Sequence, residues 1–129
     1  MLRVLLRQPA PLAIWGRWER AYASELVHVE ACRAIDRLRL ESALDDDDVA
    51  AARAQLAKIE STISTILLSR AVLQRAALPM ATVVKTLDAI HLASALLCRE
   101  RRQPALAFAT HDPQQARAAR ALGFDCIGV

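Results

Sequence analysis

The chain has 129 residues, enough for one domain of ordinary size, typically about 100 to 150 residues. Apolar residues make up 54% but aromatics only 4%, so alanine and leucine supply most of the core and favour closely packed helices. A net charge of +3, from 17 basic and 14 acidic side chains, tolerates a polyanion without approaching a histone-like polycation. The N-terminal apolar stretch is interrupted by Arg3 and Arg7 and stopped by Pro9 and Pro11, so it is not expected to act as a signal peptide. No run approaches the roughly 20 apolar residues of a membrane span, so the expected setting is soluble and cytoplasmic.

In chain order, residues 12–21 (LAIWGRWERA) read as a short helix and residues 21–26 (AYASEL) as a small strand. Residues 27–42 form a helix whose stripe is Val27, Ala31, Ala34, Ile35 and Leu38, with Glu30 on the same stripe. Asp45 to Asp48 then precede an alanine-rich helix over residues 43–62. These four acids lack the alternating ligands, glycine and terminal glutamate of an EF-hand loop, so they are expected to cap that helix and remain solvated.

The β-branched segment 61–69 (STISTILLS) predicts a strand, and residues 70–78 a helix closed by Pro79. A largely apolar helix follows over residues 87–102, carrying Asp88 in its first turn and His91 one turn later. Residues 105–110 (ALAFAT) predict a strand. The helix after it takes Asp112 as N-cap, Pro113 in its first turn and Gly123 as its stop, and residues 124–129 predict a last strand. Alternating strands and helices point to an α/β fold with a mostly parallel sheet covered on both faces. Ligands in such folds gather beyond the carboxyl ends of the strands.

Cys32, Cys98 and Cys126 are odd in number and embedded in apolar runs, which suits reduced core thiols better than a disulfide or zinc framework. Gly-rich phosphate loops, nucleophile elbows, CxxC pairs and the H-E-x-x-H spacing are all absent. Three carboxylates stand out instead. Glu30 lies inside an apolar stripe, Asp88 opens a buried helix, and Asp112 follows a strand directly. Each has a structural alternative: an ion pair for Glu30, with Arg33 as partner, and helix capping for the two aspartates. A buried carboxylate needs a partner or a cation, and three meeting at one sheet edge suggest a site for magnesium or manganese. His91 is assigned to the core or to support of that site.

The stretches SELVHVEACRAIDRL, TLDAIHLASALL and FATHDPQQARAARALGF, in this order, resemble the PIN-domain family, the nuclease fold of VapC-type toxins from bacterial toxin–antitoxin pairs. The resemblance spans nearly the whole chain as a single domain over residues 1–129. It implies a three-layer α/β/α architecture and a Mg2+- or Mn2+-dependent endoribonuclease. Glu30, Asp88 and Asp112 would hold the metal, Thr110 would lie nearby in the strand-end motif, and basic residues would hold RNA. The chemistry implied is activation of water by the metal for in-line attack on a phosphodiester. A homodimer and a cognate antitoxin protein are the implied partners.

The chain departs from the family at its start. PIN domains begin with a central strand ending in an Asp-Thr-Ser-like motif, whose aspartate is the first metal ligand. Here MLRVLLRQP looks like the helix after that motif, so the first central strand is expected to be missing and its two neighbours to be left with unpaired edges. Either the natural protein is longer, or this is a truncated form. The competing expectation is therefore a catalytically degenerate PIN-fold module that binds a protein partner or RNA without cleaving it.

Overall fold

The computed structural model describes residues 17–101 and 105–129. Of the expected helix over residues 12–21, residues 12–16 lie outside this range, as do the start of the chain and the departure noted there, and the described residues 17–21 are not helical. The described elements are β1 (Tyr22–Ser24), α1 (Leu26–Leu40), α2 (Asp46–Glu60), β2 (Ser64–Ile66), α3 (Arg70–Ala76), α4 (Thr86–Arg101), β3 (Phe108–Ala109), α5 (Pro113–Ala121) and β4 (Cys126–Ile127). The fold is thus mixed α/β. Two compact units divide the chain, Met1–Thr65 and Ile66–Val129.

In the first unit, α1 packs against α2. Its core is Ala31, Ile35, Ala52 and Leu56, with Cys32, Leu44 and Val49 at the margin. Small residues at Ala31 and Ala52 let the helix backbones approach, while Ile35 and Leu56 fill the space between them. Of the predicted α1 stripe, Ala31, Ala34 and Ile35 are buried and Val27, Glu30 and Leu38 are half-buried. Arg33 does not serve Glu30: its Nη1 donates to Asp36 Oδ2 at 2.8 Å, and Arg39 Nη2 donates to Asp36 Oδ1 at 2.9 Å.

The acidic run does what helix electrostatics demand. Asp45 accepts from Asp48 N at 2.8 Å, and Asp48 reaches back to Asp45 N at 3.4 Å, a reciprocal capping box. Asp46, Asp47 and Asp48 fill the first turn of α2, where the exposed amides favour negative charge.

The strands are shorter than their β-branched runs suggest. Of residues 61–69 only Ser64–Ile66 are extended and paired. Ser61 and Thr62 instead turn their hydroxyls back onto Lys58 O and Ile59 O, at 2.8 and 2.7 Å, and close α2. β1 pairs with β2, and Ser64 N donates to Ala21 O at 2.9 Å. In the second unit, β3 pairs with β4 in parallel, Phe108 opposite Cys126 and Ala109 opposite Ile127. The expected single, mostly parallel sheet is therefore represented among the described residues by two separate strand pairs.

The second unit is built on α4, which packs against α3. Leu92 and Leu96 of α4 join Ala118, Ala119 and Phe124 in one buried cluster, flanked by Val84, Leu106, Phe108, Leu122 and Cys126. Phe108 and Phe124 meet with ring centroids 5.8 Å apart. Arg99 secures the end of α5: its two terminal nitrogens donate to Gly123 O and Leu122 O, both at 2.9 Å. Its guanidinium carbon also stands 4.0 Å from the centroid of Phe124. Gly123 takes φ +78°, the left-handed turn the sequence predicts as the stop of this helix.

Candidate functional site

The carboxyl end of β3 is where the second unit gathers its polar side chains. Thr110 follows the strand, and its backbone N–H extends the β3–β4 ladder to Ile127 O at 3.0 Å. Its hydroxyl accepts from Asp112 N at 3.0 Å and donates to Gln115 Oε1 at 2.7 Å. Asp112 caps α5, its Oδ1 accepting from Gln114 N at 2.7 Å and Gln115 N at 3.3 Å. Gln115 then crosses to α4, where its Nε2 donates to Asp88 Oδ1 at 3.0 Å.

The donor directions in this network are fixed by chemistry. A carboxylate only accepts, so the amide of Gln115 must turn its NH2 toward Asp88 and its oxygen toward Thr110. The Thr110 hydroxyl, already accepting from Asp112 N–H, has its proton available for that oxygen. One chain of bonds therefore ties Asp88, Gln115, Thr110 and Asp112 together.

Asp88 occupies the first turn of α4 and Asp112 the N-cap of α5. Each carboxylate sits at the positive end of a helix, which offsets part of the repulsion between them. Asp88 and Thr110 are half-buried, whereas Asp112 is exposed. His91, one turn beyond Asp88, is half-buried and so is not a fully packed core residue. Glu30 is half-buried in the middle of α1 and belongs to the first unit, whereas the network joining Asp88 to Asp112 belongs entirely to the second.

Gln115 is the residue the sequence reading misses. Its signal is the spacing Asp112-x-x-Gln115, the N-cap and N3 positions of a capping box. In that arrangement the N3 side chain ordinarily returns to the N-cap amide. Here Thr110 already holds that amide, so the Gln115 side chain bonds Thr110 and Asp88 instead.

The chemistry of the donor set suits a hard divalent cation: two carboxylates and a hydroxyl, with no thiolate or imidazole in the network. Both cap bonds to Asp112 go to Oδ1, and among the described residues no hydrogen bond goes to its Oδ2. Within each unit, however, no group of three His, Cys, Asp or Glu among the described residues forms a ready-made metal cage. The second unit also contains a cavity of about 520 Å3 lined by apolar side chains, including Leu73, Met80, Val83 and Ile90, and no ionisable group lines it. Acid chemistry therefore belongs to the strand-end network.

Comparison with protein-family models, curated proteins and solved structures finds no match. Among the described residues no helix is long and apolar enough to cross a membrane.

Proposed function

We propose that the chain is a PIN-like, Mg2+- or Mn2+-dependent endoribonuclease, the toxin component of a type II toxin–antitoxin pair. The observation that carries the reading is the bonding of Asp88 to the Thr110–Asp112 turn through Gln115, which draws two carboxylates from helices far apart in sequence into one polar network. Residues 86–97 and 108–124, which surround them, are two of the stretches that resemble the family.

In this reading Asp88 and Asp112 of the second unit hold the cation. When bound, the cation would polarise water and offset charge developing on the phosphodiester. The protein's own part is positional. Gln115 fixes the rotamer of Asp88, Thr110 fixes Gln115, and the α5 amides fix Asp112. Basic side chains would hold the RNA backbone. A cytoplasmic homodimer paired with a cognate antitoxin completes the proposal.

The second reading is a degenerate PIN-fold module that binds RNA or a protein without cleavage. It is favoured by the structural employment of both aspartates, Asp112 as helix cap and Asp88 as acceptor for Gln115. Incubation of the full chain with RNA in magnesium, in EDTA and as Asp88→Asn separates the two. Cleavage lost in EDTA and in the variant supports the nuclease; RNA retained on the protein without cleavage in any condition supports the module.

A further inference from the structure

The first unit carries a second cluster of reactive side chains, unconnected with the strand-end network. On α1, His28 and Cys32 are one turn apart, and Cys32 Sγ lies 3.6 Å from His28 Nε2. The other ring nitrogen, Nδ1, lies 2.9 Å from Glu60 Oε1 at the end of α2. Glu60 is an acceptor only, so in the neutral ring the proton sits on Nδ1 and Nε2 presents its lone pair to the Cys32 thiol. The order is thiol, imidazole, carboxylate, that of a nucleophile, its base and the group that orients the base.

This arrangement is a relay and not a chelate. The thiol and the carboxylate face different nitrogens on opposite edges of the ring, so they do not converge on one cation. A cavity of about 220 Å3 opens at the His28–Glu60 end, bordered by Ser24, Glu25, Val27 and Thr65. Cys32 is not among the residues lining this cavity; the carboxylate of Glu60 on the same imidazole disfavours anionic oxidants near the pair, and the half-buried thiol favours small ones. Hydrogen peroxide, small and uncharged, meets both conditions.

The other two cysteines provide the contrast. Cys98 is buried, at 6% exposure. Cys126 is half-buried, and its thiol donates to Ala116 O at 3.5 Å and Phe124 O at 3.8 Å, oxygens that cannot keep the proton. Cys32, by contrast with Cys126, has a base placed to take its proton.

We infer that Cys32 is a peroxide-reactive modification site, with His28 as its base and Glu60 as the residue that positions the base. His28 Nε2 takes the thiol proton, and the sulfur attacks one peroxide oxygen. The S–O bond forms as the O–O bond breaks, and the departing hydroxide recovers the proton from His28 as water. Sulfur loses two electrons to the peroxide, and the product is a sulfenic acid.

The test exposes the full chain to hydrogen peroxide with a dimedone trap and follows each cysteine-containing peptide by mass spectrometry. Cys32 is expected to be labelled at least about tenfold faster than Cys98 or Cys126 in the folded chain, and at a similar rate to both in urea. His28→Ala should slow labelling of Cys32 about tenfold, with added imidazole restoring much of the rate, and Glu60→Gln should slow it several-fold while Glu60→Asp recovers part. Imidazole rescue is a readout that a purely structural role would not give. If Cys32 in the folded wild-type chain reacts no faster than Cys126, or if His28→Ala leaves its rate unchanged, the inference is overturned.

Discussion

Gln115 Nε2 donates to Asp88 Oδ1 across 27 residues of chain, at 3.0 Å in a half-buried setting. The bond joins the first turn of α5 to the first turn of α4, and it is the amide that allows it. Gln115→Ala would remove one hydrogen bond from Asp88 Oδ1 and one from Thr110 Oγ1, at a cost of about 1 kcal/mol. In the proposed cation site, loss of this support should weaken manganese binding about tenfold or more. Gln115→Glu should be worse at neutral pH, since a carboxylate cannot donate to Asp88 and repels it. Urea denaturation and manganese titration of the three proteins check this, and an alanine variant matching wild type in both would remove Gln115 from the argument.

Asp112 has two roles that one pair of substitutions separates. Serine caps a helix nearly as well as aspartate, whereas alanine costs about 1 kcal/mol. Asp112→Ser should therefore keep wild-type stability, Asp112→Ala should lose that amount, and both should lose cation-dependent cleavage. Cleavage surviving in the serine variant would reduce Asp112 to a cap.

Leu92 is fully buried, in one cluster with Leu96, Ala118, Ala119 and Phe124. Leu92→Ala should destabilise the chain by about 3 kcal/mol, the transfer loss of the side chain plus the cavity left among small neighbours. Chemical denaturation measures it. A change below about 1 kcal/mol would mean that α4 and α5 collapse into the space and that their packing is looser than described.

Arg99 grips two carbonyl oxygens and covers Phe124 at once. Arg99→Lys keeps the charge but loses the forked geometry, so most of the stabilisation should go with the conservative change. Arg99→Lys and Arg99→Ala are expected to lower the thermal midpoint by similar amounts. A lysine variant indistinguishable from wild type would show that charge near the end of α5 is enough.

Asp36 predicts the acid limb of stability. Hydrogen bonding by Arg39, supported by the charges of Arg39 and Arg33, holds its carboxyl below the ordinary value of 3.8 despite opposing desolvation. A depressed folded-state value means that this contribution is present above the unfolded value and is lost as pH falls through the folded one. Asp36→Asn should be slightly less stable than wild type at pH 7, and the difference should vanish in strong acid. Urea midpoints across that range test the sign; an equal difference at all pH values would exclude the ionic origin.

Much of this arrangement is legible in local sequence. The four aspartates before α2, and the Asp112, Pro113 and Gly123 that bound α5, specify their helix ends through backbone amides and carbonyls only a few residues away. Apolar periodicity likewise marks Ala31, Ala34 and Ile35 for burial. Strand extent is less legible, because the hydroxyls of Ser61 and Thr62 serve equally to close a helix, and pairing depends on what a distant segment offers. The partner of Arg33 escaped the reading for a related reason: Glu30 and Asp36 are both three residues away on the same helix, and spacing alone does not choose between them.

The sequence by itself determined the helices, their caps and the identity of Asp88 and Asp112 as carboxylates needing explanation, because these follow from composition and short-range backbone chemistry. Tertiary structure alone decided that Gln115 ties Asp88 to the Thr110 turn and that Glu60 orients His28 toward Cys32. The Gln115–Asp88 and Glu60–His28 bonds span 27 and 32 residues of chain, and their length and direction depend on how two helices pack, which no local spacing records.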